Sequence, residues 1–425
     1  MTATLTSTPK NMPSQQPNVV LIVSDYMGYR DIGPYGADDI ATPALDRLAD
    51  QGTKFSDFYG AAPICSPSRA ALLTGRYPER VGITGNVTAD DGLSTAHQTL
   101  AGYLKGAGYA TALFGKWHLG SRPEYRPNRH GFDEFLGFHA WTISYHSHRT
   151  ESGEPGLYHN DTPLERAGYL TDILSEEAVG FIDRQAQGEA PFFLYLAYNT
   201  ALPPYQPPGL PEHAWDSGWD VNQADRRDYV QMVEAMDSGI GRVLAALDQA
   251  GVSEQTLVIF AYDHGGRHLV RSEPLFHGFA TLWEGGIRVP MLLRWPGHRW
   301  PGHVPPAETV SQPAISMDLT ATILDAAGLD HLLPSLDGDG ISLLPAVNGQ
   351  VIAEERPLFW RLGRDKAVRQ GRWKYLVEGV TGTQFLFDLE ADIGERNNLF
   401  YRHPEVVAAL RAALRTWERS FTADY

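Results

Sequence analysis

The run Asn18-Val-Val-Leu-Ile-Val-Ser24 constrains the fold more than any other segment of the chain. It is short, continuously apolar and rich in β-branched residues, the pattern of a strand buried on both faces of a parallel sheet. Segments 109–114, 191–198 and 256–261 read as further strands. Between them lie helical segments at 99–107, ended by Gly108, at 169–184, and at 228–250, stopped by Gly251. Thr42-Pro43 opens another helix, with Thr42 as N-cap and Pro43 at the first helical position. Strand–helix alternation of this kind predicts an α/β fold with a large, mostly parallel sheet flanked by helices.

A smaller unit is expected after a Pro/Gly/Asp-rich stretch at 332–340. Beyond it, 366–376 and 384–389 read as antiparallel strands and 404–421 as a closing helix. The predicted organisation is a disordered tail over 1–17, an α/β domain over 18–340, and a small C-terminal α+β subdomain over 341–425.

The formal net charge of -16 disfavours a nucleic-acid partner and an anionic lipid surface. It permits an anionic substrate, because a small site can be locally positive inside an acidic protein. No run of apolar residues is long enough to predict a transmembrane helix. Residues 1–17 lack a basic start followed by an apolar stretch, so no signal peptide is expected. A single cysteine excludes an intramolecular disulfide. Together these features lead us to expect a cytoplasmic protein.

That cysteine, Cys65, begins Cys65-Ser66-Pro67-Ser68-Arg69, continued by Ala70-Ala71-Leu72-Leu73-Thr74-Gly75-Arg76. A free cysteine is ordinarily a small buried core residue. Here it stands with Arg69 at or just before the first turn of a helix expected over 67–75, where an anion or ionised nucleophile is favoured. Asp25, Lys116, His118, Asp263 and His264 all follow predicted strands, and open α/β sheets bind their ligands at strand C-terminal ends. Two Asp and one His converging there make a reasonable divalent-cation site.

The twelve residues from Cys65 to Arg76 resemble the signature of the formylglycine-dependent sulfatases. Residues 115–120 (Gly-Lys-Trp-His-Leu-Gly), 129–135, 283–290 and 388–399 resemble further segments of that family. The resemblance runs from Asn18 to about Trp417 and is to the arylsulfatase and N-acetylgalactosamine-sulfatase branch of the alkaline phosphatase superfamily. It implies that a formylglycine-generating enzyme converts Cys65 to formylglycine (3-oxoalanine), held by Arg69. It implies sulfate contacts from Lys116, and His118 as the base that breaks down the sulfated intermediate. It also implies a divalent metal held by Asp25, Asp263, residue 264 and the modified Cys65.

Four positions depart from the family pattern: Tyr26 replaces an Asp, His264 an Asn, Leu202 a His and Phe279 a Lys. An imidazole in place of an amide oxygen moves metal preference from Ca²⁺ toward Mn²⁺. Asp-His in the second pair, without a second Asp in the first, resembles the phosphonate monoester hydrolases and choline sulfatases. Leu202 and Phe279 make one wall of the expected pocket apolar, and His277 is a candidate replacement proton donor. The expected function is metal-dependent hydrolysis of a small-molecule sulfate ester, or of a related phosphate or phosphonate ester, through a nucleophile made from Cys65. The alternative is a diverged homologue whose pocket has been repurposed for other chemistry or for binding.

Overall fold

The computed structural model describes residues 16–211, 219–297, 307–335, 338–352 and 356–422. The expected tail therefore lies, up to residue 15, outside the described residues. Six strands build the centre of the large sheet: β1 Asn18–Ser24, β2 Ala110–Lys116, β3 Glu134–Phe138, β4 Phe192–Ala197, β5 Thr256–Tyr262 and β6 Met291–Arg294. Their spatial order is β6-β5-β1-β4-β2-β3, and all adjacent pairs are parallel except β6 with β5. The short strands Thr53–Phe55 and Glu308–Val310 extend one edge, and Tyr158–His159 and Thr162–Pro163 the other. Val19 through Val23 are fully buried, as their unbroken apolar run requires of a strand flanked on both sides and covered on both faces.

The helices follow the sequence signals closely. Helix α1, Cys65–Thr74, is buried along its whole length and ends at Gly75, whose φ of 69° is the left-handed conformation that favours glycine. Helices α2, Leu170–Gln185, and α3, Arg226–Gln249, pack against one another. Asp225 caps α3 by accepting from the Arg227 and Asp228 amides while the Asp228 side chain returns to the Asp225 amide. Thr42 occupies the N-cap position before Pro43, but its hydroxyl accepts from the Gly33 amide instead of capping the helix.

The C-terminal sheet has four antiparallel strands in sequence order: β7 Leu358–Leu362, β8 Asp365–Gln370, β9 Trp373–Val377 and β10 Gln384–Asp388. The segment 366–376, expected as one strand, turns back on itself at Gly371, where φ is 55°. Strand β7 was not expected, because an apolar run of only three residues carries little periodic signal. Helix α4, Pro404–Thr422, packs on β8 and β9. Leu343, Ala346 and Val347 belong to the core of the large sheet, whereas Leu358 and Trp360 belong to a second core around the C-terminal sheet. The chain thus passes from one core to the other between Val347 and Leu358. No helix among the described residues is long and apolar enough to cross a membrane.

A buried ion network joins the two sheets. Lys374 on β9 lies 2.8 Å from Glu284 and 2.8 Å from Glu395, all three buried. Burial opposes ionisation of Glu284, but Lys374 and Arg288 beside it hold its carboxyl to about 2. Burial, reinforced by the Glu284 charge, instead pushes the Glu395 carboxyl up. Removing one partner from such a network strands a buried charge, so Lys374→Met is expected to destabilise the protein by about 3–5 kcal/mol. Denaturant unfolding measures this, and a loss below about 1 kcal/mol would assign the network the weak role of a surface pair.

Candidate active site

The C-terminal ends of β1, β2, β4 and β5 meet the first turn of α1. Asp25 follows β1, and its amide donates to the Thr200 carbonyl just beyond β4 at 2.9 Å. Asp263 and His264 follow β5, and the Asp263 amide donates to the Ser24 carbonyl at 3.2 Å. Lys116 ends β2 with His118 two residues on. Gly115 before it has a φ of 117°, and a Cβ there would stand 1.9 Å from the Ala197 carbonyl oxygen of β4. Only glycine lets β2 approach β4 closely enough to deliver Lys116 in this position.

Helix α1 ties these strand ends together through consecutive side chains. Ser66 Oγ donates to the His118 carbonyl at 2.8 Å, and Ser68 Oγ to the Asp263 carbonyl at 2.5 Å. Arg69 donates to Asp25 Oδ2 at 3.1 Å, to the Lys116 carbonyl at 3.3 Å and to the Tyr195 hydroxyl at 3.4 Å. Its guanidinium also lies 2.9 Å from Asp263 Oδ2, an ion pair without hydrogen-bond alignment. Lys116 Nζ donates to Asp25 Oδ2 at 2.5 Å.

Asp25, Cys65, Asp263 and His264 form the one cation-binding group of His, Cys, Asp and Glu found among the described residues. One ligand atom from each lies within 4.8 Å of the others. His264 Nε2 is 3.2 Å from Cys65 Sγ, 3.4 Å from Asp25 Oδ1 and 3.6 Å from Asp263 Oδ1. Both Asp263 oxygens are buried without a hydrogen-bond partner. Asp263 has ion-pair neighbours but no hydrogen bond, which leaves its lone pairs open to a cation, so this donor set fits a divalent metal.

The titration pattern has the same cause. Burial opposes the Asp25 charge, but Lys116 and Arg69 hold its carboxyl down to about 2. Burial and the neighbouring Asp25 charge raise Asp263. Burial disfavours a proton on His264, yet Asp263 and Cys65 around it raise its imidazole to about 10. A proton on His264 answers the same surplus of negative charge that a metal cation would.

The expected residues separate clearly. Cys65, Arg69, Lys116, Asp25, Asp263 and His264 converge, and His118 sits beside them, buried, with Nδ1 unpartnered. Tyr26 and Phe279 form an aromatic wall: their ring centroids are 5.0 Å apart and lie 6.4 and 5.1 Å from the His264 ring. Burial raises the Tyr26 hydroxyl to about 12, so it stays protonated. Leu202 is buried, its amide donating to the Asn199 carbonyl. His277 is exposed and packs on Phe276 and Trp283, with centroids 4.1 and 5.2 Å away, and it lines one cavity together with Phe279. The histidines of loop 138–148 make local contacts. His146 and His148 each bond a backbone carbonyl at 3.0 Å, and His139 stacks between Phe135 and Tyr158.

Three participants were not anticipated. Ser66 and Ser68 act through their hydroxyls on backbone carbonyls, which residue type alone does not reveal. Asn199 is buried just past β4 with both amide atoms unpartnered. Its place after a strand end, like that of Asp25 and Asp263, was the available signal.

The family model described as Sulfatase matches residues 17–329. The human N-acetylgalactosamine-6-sulfatase is 36% identical over 457 residues, covering 93% of this chain and 84% of that protein. Human arylsulfatase A is 32% identical over 464 residues, covering 94% and 87%. Among solved structures, Ps i-CgsB in complex with k-i-k-neocarrahexaose superposes with a TM-score of 0.85 at 33% identity, covering 95% of this chain and 93% of that one.

Burial, with Lys116 and Arg69 as neighbouring positive charges, lowers the His118 imidazole well below its usual 6.5. His118 is therefore neutral at pH 7 and able to accept a proton. An NMR titration of its ring should give a midpoint below 6.5. Lys116→Met removes a repelling cation, so that midpoint should rise; no rise would show that Lys116 does not govern His118.

Proposed function

The chain belongs to the sulfatase family, and we propose that it hydrolyses sulfate esters through a formylglycine made from Cys65 and a divalent cation. One observation carries this reading: the ligand atoms of Asp25, Cys65, Asp263 and His264 lie within 4.8 Å of one another, with both Asp263 oxygens lacking a hydrogen bond. Asp25, Asp263 and His264 would hold the cation. The hydrated aldehyde would supply an oxygen nucleophile, and the cation would polarise it and the sulfate oxygens. A formylglycine-generating enzyme is the partner this requires.

The chain's own side chains supply the remainder. Arg69 fixes the first turn of α1 against both carboxylates, so the residue at 65 is held in one orientation. Lys116 sets a buried positive charge where an anion's charge develops, an effect worth about 2–4 kcal/mol in comparable sites. His118, neutral and with Nδ1 unpartnered, accepts the proton released as sulfate departs. Tyr26 and Phe279 exclude water beside His264. Two of the relatives above carry carbohydrate in their names, N-acetylgalactosamine-6-sulfatase and the neocarrahexaose complex, and a sulfated carbohydrate is the substrate class we favour here.

A second reading rests on the Asp263-His264 pair. With Tyr26 in place of a second Asp, it resembles the phosphonate monoester hydrolases, so a related phosphate or phosphonate ester is the alternative substrate. The test is hydrolysis of aryl sulfate, sugar sulfate, phosphate diester and phosphonate ester by protein co-produced with the formylglycine-generating enzyme. Cleavage of sulfates is expected, and a preference for phosphonate would move the assignment to the second reading. Cys65→Ala should lower turnover on the order of 10⁶-fold, the cost of deleting a covalent nucleophile. Wild-type turnover in that variant would refute the nucleophile assignment.

Chelation should abolish activity, with Mn²⁺ restoring it better than Ca²⁺ because His264 is a nitrogen ligand. His264→Asn should reverse that order. Restoration indifferent to both the metal and the substitution would remove His264 from the metal shell.

A further inference from the structure

The C-terminal subdomain carries a concentration of positive charge that the catalytic reading does not use. A cavity of about 510 Å³ opens between α4 and the C-terminal sheet. Five cations line it, Arg361, Arg364, Lys366, Arg411 and Arg415, against one carboxylate, Glu418. The whole chain has 35 Lys and Arg against 51 Asp and Glu, so chance placement would favour the opposite balance.

The arrangement works against local stability. Arg361 on β7 and Lys366 on β8 are directly opposite in the antiparallel register, where like charges repel. Arg411 and Arg415 are one turn apart on α4, another repelling spacing. Breaches of local rules in a folded protein concentrate at functional sites. Some of these cations are fixed in place: Lys366 pairs with Glu418 at 2.6 Å, and Arg411 donates to Gln384 Oε1 at 2.7 Å. Arg364, at the β7–β8 turn, and Arg415, on α4, are exposed and make no ion pair among the described residues.

We propose that this cavity is a second binding site, separate from the catalytic cluster, for the sulfate groups of a sulfated oligosaccharide. Four of the five cations are arginines, whose planar forks match pairs of sulfate oxygens. The volume falls in the range of sites that take a small organic molecule, larger than a lone anion needs. The chain's net charge of -16 opposes a long nucleic-acid backbone but not discrete sulfates on a neutral sugar chain. Arg364 and Arg415 supply charge without an ion pair among the described residues, and Gln384 Oε1 and the Tyr375 hydroxyl, both accepting from Arg411, line the cavity beside them. A chain held there raises the local concentration of its own sulfate esters for the active site. The choice of sulfate as the anion rests on the sulfatase reading; the cationic cavity itself does not.

The test uses the full chain with Cys65→Ala, which removes turnover, and a labelled sulfated neocarrahexaose, a hexasaccharide whose sugar chain is otherwise neutral, as probe. Adding Arg364→Gln and Arg415→Gln should weaken binding at least about tenfold, since two charge-assisted contacts are lost. Both residues are exposed and Arg415 repels Arg411, so the melting temperature should not fall. In protein with Cys65 intact, the two substitutions should raise KM for the hexasaccharide and leave hydrolysis of a small aryl sulfate unchanged. Unchanged hexasaccharide affinity would overturn the proposal, as would equal binding of the desulfated hexasaccharide or tighter binding of an oligonucleotide of equal charge. If the arginine pair governs binding while no preparation cleaves any sulfate ester, the cavity stands and the catalytic reading falls. If esters are cleaved and the arginine pair is silent, the reverse holds.

Discussion

The Arg69 guanidinium, buried between Asp25 and Asp263, is the interaction on which the site depends. Two carboxylates at the ends of adjacent parallel strands repel each other in a medium of low dielectric. Arg69 reaches both, and it also donates to the Lys116 carbonyl at the end of β2. One residue on α1 thereby fixes three strand ends relative to the residue at 65, a single turn earlier on the same helix. Ser66 and Ser68 repeat the connection through backbone carbonyls, so the nucleophile's position is set by the sheet and not by a loop.

Much of this was legible in the chain because the informative patterns are local. A seven-residue run with four β-branched residues can hardly be anything but a buried strand, and Gly75, Gly108 and Gly251 stop their helices where the periodicity ends. Placing Asp25, Lys116 and Asp263 after strands needed only the rule that ligands collect at that end of an open sheet. What was not legible depends on direction through space. His277 lies two residues from Phe279, yet the Phe279 ring packs on His264 while the His277 ring packs on Phe276 and Trp283. The serine hydroxyls, the free amide of Asn199 and the pairing of Lys374 with Glu284 and Glu395 likewise join residues far apart in sequence.

Charge is distributed unevenly, and burial accounts for the division of labour. At the active site Arg69 and Lys116 are already partnered by carboxylates and shielded from water, so they are held still. Their value lies in preorganisation, since no reorientation is needed as charge develops. On the C-terminal subdomain Arg364 and Arg415 are exposed and without ion pairs among the described residues, a state that suits capture and release of a mobile anion.

The departures from the family pattern are also less independent than they look in one dimension. Tyr26, Phe279 and His264 touch one another as three rings, with centroid separations of 5.0, 5.1 and 6.4 Å. A lysine at 279 would bring a second cation beside the His264 ring that Phe279 now packs on. An aspartate at 26 would add a further carboxylate next to the Asp25–Asp263 pair. With His264 in place, aromatic neighbours satisfy the space without adding charge of either sign, and their low polarity strengthens every remaining interaction in the cluster. The three replacements are therefore best understood as one packed unit that trades charged contacts for exclusion of water, while His264 preserves a ligand for the cation.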